Sequence, residues 1–225
     1  MDSPQQPTVA VRGEAELDVE PDLAVVHLTV QAQDKDRGRT VRLLAQRLDA
    51  ARALLAGYGD AVERTESGAV WVNPERPGSK RAVEKVTSYR GSAQLHVTVV
   101  DFEVLGELVG ALAGLEQATV AGPRWELRRD NPAYRQARTE AVEAAVERAR
   151  QYAAALGSGL TGLLSLADQG LGGADPYPAP GGAQTRGAVV YGYAQESPEL
   201  DLQPARQTVR ATVEARFTLR PPDLS

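Results

Sequence analysis

The chain has 225 residues, 42% of them hydrophobic and 24% charged, with a formal net charge of −5, no cysteine and two histidines. The lack of thiols excludes a disulfide framework, a thiolate zinc site, an iron–sulfur cluster and a cysteine nucleophile, and two histidines starve any multi-histidine metal centre. The mild acidity speaks against a nucleic-acid binder that works through a basic surface.

Residues 1–7, Met1-Asp2-Ser3-Pro4-Gln5-Gln6-Pro7, are polar and proline-broken, without the basic and apolar regions of a secretory signal. The longest apolar run, residues 23–30, is too short for a bilayer and contains His27. The sequence therefore predicts a cytoplasmic protein with no membrane span and with tails at residues 1–7 and 221–225.

Residues 8–17 alternate as a strand, with Val9, Val11, Ala15 and Leu17 on one face. After Glu20-Pro21-Asp22, residues 23–31 form a second strand with Ala24, Val26, Leu28 and Val30 on one face. The short separation predicts that the two pair as a hairpin-like unit. Val41, Leu44, Leu48, Ala51 and Leu55 recur at helical spacing over residues 36–56, and Gly57 ends that helix. Residues 62–73 and 83–100 read as two strands around the turn chemistry of Asn73-Pro74 and Pro77-Gly78, hence as an antiparallel hairpin.

Asp101 is the expected N-cap of a second helix over residues 101–113, with Val104, Leu105, Leu108, Val109 and Leu112 as its stripe. Residues 119–128 form a further strand containing Trp125. Asp130 or Asn131 caps a long alanine-rich helix that starts near Pro132 and closes at Gly157. A short strand follows at 160–167, and a clean alternating strand at 208–219. Between them, residues 168–197 are crowded with glycine and proline, the composition of a flexible insertion. Strands and helices without strict alternation predict an α+β fold, helices packed on an antiparallel sheet of long strands, in one domain over residues 8–220. The strand–helix–strand–strand–helix order hints at a ferredoxin-like split unit.

The sequence shows no catalytic constellation, and a non-enzymatic protein without cofactor or metal is the expectation. His27 and His96 both lie in strands, and would approach one another if those strands were neighbours. A serine elbow, a phosphate-binding glycine loop and an EF-hand spacing are all missing. Glu14, Glu16, Glu20 and Asp22 read as a solvated acidic edge. Arg124, Arg128 and Arg129 around Trp125 interleave basic and aromatic residues, but Glu126 and the acidic total weigh against nucleic-acid binding. Two small-residue faces allow close packing, either inside the subunit or against a second copy: Gly106, Gly110 and Gly114 on the second helix, and Ala141, Ala145 and Ala149 on the third. Tyr177, Tyr191 and Tyr193 in the Gly/Pro segment are candidates for an aromatic lid over a small molecule or peptide.

Several motifs in order resemble SIMPL-domain proteins, a family once named only as a domain of unknown function that includes a bacterial periplasmic immunogenic protein. They are Gly13-Glu14-Ala15-Glu16, Glu20-Pro21-Asp22-Leu23-Ala24, Tyr89-Arg90-Gly91-Ser92, Asp101 with Leu105-Gly106, Asn131-Pro132-Ala133-Tyr134-Arg135-Gln136-Ala137-Arg138, and Leu202-Gln203-Pro204. The resemblance implies an α+β fold, no established catalytic residue, a bacterial source, links to stress or the cell envelope, and relatives that are periplasmic or secreted and in some cases assemble into rings. The sequence departs from that pattern in its polar start, in Ala205-Arg206 where the pattern usually has glycine and an acid, and in its tyrosine-rich Gly/Pro segment. The expected function is self-association into a homo-oligomer. The alternative is a ligand-binding module with residues 168–197 as its lid.

Overall fold

The computed structural model describes residues 6–76, 86–169 and 202–222. The described residues form, in chain order, β1 (Thr8–Val19), β2 (Leu23–Asp34), α1 (Arg37–Ala56), β3 (Val62–Glu75), β4 (Ser88–Val99), α2 (Leu105–Ala113), β5 (Ala118–Glu126), α3 (Ala133–Ala155), β6 (Leu160–Asp168) and β7 (Gln207–Leu219). The arrangement is α+β, with helices packed on antiparallel sheets. The span read as one domain is laid out as two compact units: β2 to β5 with α1 and α2, and β1 with α3, β6 and β7.

β1 and β2 do not pair, contrary to the hairpin expected from their spacing. β2 is flanked on both edges, by β4 and β5, in a sheet of order β3-β4-β2-β5, while β1 lies beside β7 in a sheet of order β1-β7-β6. With both its edges hydrogen-bonded, β2 has no ladder left to offer β1. Glu20-Pro21-Asp22 thus links strands of two different sheets. The expected hairpin of β3 and β4 is present, antiparallel, with Val72 opposite Gly91 and Val62 opposite Val99.

In the four-stranded unit, β2, α1, β3, β4, α2 and β5 follow the order of the split ferredoxin-like motif, with β4 inserted between β2 and β3. Register sets the core. Ala24, Val26, Leu28 and Val30 lie opposite Val99, Val97, Leu95 and Ala93, and all eight are buried. α1 and α2 cover this face, with Leu44, Ala51 and Leu55 from the first and Leu105, Leu108 and Leu112 from the second. Each fully buried leucine contributes about 1.5–3 kcal/mol.

α1 starts just after Asp36, which keeps the extended conformation of an N-cap, its carboxylate accepting from the Arg39 N–H at 2.7 Å. Its inner stripe is rotated from the expected one. Val41 is 48% exposed and Thr40 is buried in its place, its hydroxyl donating to the Asp36 carbonyl at 3.0 Å. That bond satisfies the polar group, so a threonine fits an apolar site. α2 begins three residues later than expected, its cap at Val104 rather than Asp101. Asp101 accepts from the Glu103 N–H in the preceding turn.

In the three-stranded unit, β1 and β7 run antiparallel. Pro7, Arg12, Glu16 and Asp18 meet Leu219, Glu214, Arg210 and Thr208 in turn. The odd positions of both strands face α3, with Val11, Val213, Ala215 and Phe217 buried beside Ala141, Ala145 and Ala149. At the start of α3 the Asn131 side chain accepts from the Ala133 N–H at 2.8 Å. At its end Gly157 adopts φ 64°, the left-handed conformation that lets the chain turn away.

Candidate functional site

The two histidines are brought together. The β2–β4 register sets His27 directly opposite His96 on the sheet face away from α1 and α2, with ring centroids 4.6 Å apart and planes at 81°. Thr29 opposite Gln94 and Val25 opposite Thr98 continue that face. On the far side of His96, β3 carries Glu66 in register and then Gly68, where a Cβ would stand 2.5 Å from His96 Nε2. The Nε2–Cδ2 edge of His96 therefore rests on the bare backbone of Gly68. Partial burial, then His96 and Arg124, hold the His27 imidazole below its ordinary pKa, while Glu126 pulls the other way. The neutral form, with one ring nitrogen free to accept, is favoured.

Among the other predicted groups, three of the four acids of the edge are paired. Glu16 bonds Arg210 at 2.9 Å, Glu20 bonds Arg206 at 2.8 Å, and Asp22 accepts from the Arg128 N–H at 2.7 Å. Trp125 is not a stacking platform, because it packs edge-on against Phe102 at 4.9 Å beside the core. Of its arginine neighbours, Arg124 pairs with Glu126 and Arg128 with Glu63. Among the described residues, no group of three His, Cys, Asp or Glu converges as a metal site, and no helix is long and apolar enough to cross a membrane.

The two small-residue faces differ. Ala141, Ala145 and Ala149 have no exposed surface, because β1 lies on them. Gly13 meets the main chain of α3 there, and Arg148 donates to the Arg12 carbonyl. That alanine face is consumed inside the subunit and offers nothing to a second copy. Gly106 and Gly110 are half-buried, Gly114 is exposed, and a Cβ on Gly110 would meet nothing within 4 Å. Tyr177, Tyr191 and Tyr193 lie outside the described residues, as does nearly all of the 168–197 segment.

One surface escaped the sequence reading. β6 is an edge strand, paired to β7 alone among the described residues, and Leu163, Leu164 and Leu166 are 56%, 56% and 48% exposed. Adjacent leucines at 163 and 164 cannot share a strand face, so one of the pair must point away from any single core. That was the available signal.

The profile of SIMPL, a protein of unknown function (DUF541), matches residues 9–217, running through both units. The chain belongs to the SIMPL family. Comparison with curated proteins gives no match. The SIMPL match takes in the histidine pair, the alanine helix and the leucine edge of β6 alike.

Proposed function

We propose that this SIMPL protein is a non-enzymatic, self-associating protein whose copies join through β6, edge to edge. The exposed leucine edge carries the reading. An unpaired strand presents a row of free N–H and C=O groups, and proteins usually blunt it with lysine, proline or inward charges. β6, Leu160-Thr161-Gly162-Leu163-Leu164-Ser165-Leu166-Ala167-Asp168, has no Lys, Arg or Pro and one acid at its end.

The strand is also self-complementary. Two copies paired antiparallel about the 164–165 bond set Leu163 of one opposite Leu166 of the other. The remaining exposed half of each leucine contributes about 1 kcal/mol on burial. Six leucines give about 6 kcal/mol, and the new ladder hydrogen bonds about 1 kcal/mol each, against an association cost of about 4–15 kcal/mol. These terms nearly balance, so the dimer forms in a concentration-dependent way. Light scattering across a concentration series tests this, and a strict monomer at all concentrations contradicts it.

A further inference from the structure

We infer that His27 and His96 form a two-imidazole binding site for a late first-row divalent transition ion, Cu2+ foremost. The rings already lie side by side in an edge contact. An ion bound at about 2.0–2.1 Å from each imidazole nitrogen holds two adjacent ring centroids about 4.5–5 Å apart, and these stand at 4.6 Å.

The surroundings suit ligation. Neither ring has a hydrogen-bond partner among the described residues. The Nε2–Cδ2 edge of His96 is seated over Gly68, which leaves Nδ1 as the nitrogen open to a ligand. Cross-strand pairing fixes both backbones, so the two ligands are preorganised. With two protein ligands the remaining positions belong to water or an outside ligand, which suits the order in which copper binds nitrogen sites most tightly. The chain has no cysteine and no third histidine, so imidazole ligation reports this pair alone.

The test uses the untagged full chain with Cu2+ alone at about pH 7.5. Calorimetry gives the stoichiometry and electron paramagnetic resonance the ligands. The expected result is one copper per chain with coupling to two imidazole nitrogens, and affinity at least about tenfold weaker in both His27→Gln and His96→Gln. Equal affinity in the wild type and the double variant overturns the site. So does a wild-type spectrum with fewer than two imidazole nitrogens, which needs no variant to fold.

Discussion

Gly13 of β1 lies directly on the main chain of α3 at Ala141, so closely that a Cβ there would stand 2.6 Å from the Ala145 nitrogen. The alanine stripe exists to permit this approach: a larger side chain at Ala141 or Ala145 would lift the helix off the strand. Neither partner can give way, since both contacts on α3 are backbone. Gly13→Ala is therefore expected to cost about 3 kcal/mol, read as a lowered urea midpoint. An unchanged midpoint would show that helix and strand are not in this contact.

The second glycine face predicts the opposite sign. Gly110 sits within α2 facing open space. Replacement with alanine removes backbone freedom from the unfolded chain at no steric cost and should stabilise by about 0.5–1 kcal/mol. The same variant separates assembly faces. If the glycines seat a second subunit, Gly110→Ala weakens association in sedimentation; if β6 does, the oligomer distribution stays as it was.

The helix start at Asp36 is a local device. Its carboxylate satisfies the Arg39 N–H, and Asp36→Ala leaves that donor without its partner. Thermal unfolding should show a loss of about 1 kcal/mol, largely recovered by Asp36→Asn or Asp36→Ser.

Much of this architecture was legible from residue pattern. Alternation located the strands, because a half-buried strand repeats every two residues, and glycines located the helix C-termini, whereas Asp101 misplaced the start of α2. The partner of β1 was not legible. Proximity in sequence favoured β2, but the edges of β2 are filled by strands that arrive some 60 to 100 residues later. Nor could pattern tell which small-residue face is buried. Alanines at every fourth position of α3 and glycines at every fourth position of α2 look alike until β1 is seen lying on the first. The histidine pairing depended on a register that alternation leaves open, since sliding one strand by two residues preserves every face.

His27 gives the fold a pH dependence with a defined sign. Its pKa in the folded chain lies below the ordinary 6.5, first through burial, then through His96 and Arg124, with Glu126 opposing. Between the folded value and 6.5 the unfolded chain binds more protons, so stability is fully present above about 6.5 and falls as pH drops through that window to the folded pKa. Urea midpoints at about pH 7.5 and about pH 5.5 should differ more in the wild type than in His27→Gln. Equal differences would show that the imidazole is not perturbed.

Self-association through β6 is the central claim, and a charge placed on that edge tests it most directly. Leu164→Lys adds a solvated cation to a residue already 56% exposed, so the subunit keeps its core. Light scattering on the wild type should show mass rising with concentration, and on Leu164→Lys a monomer at every concentration with an unchanged circular dichroism spectrum. A wild type that stays monomeric, or a variant that associates as the wild type does, would contradict the account.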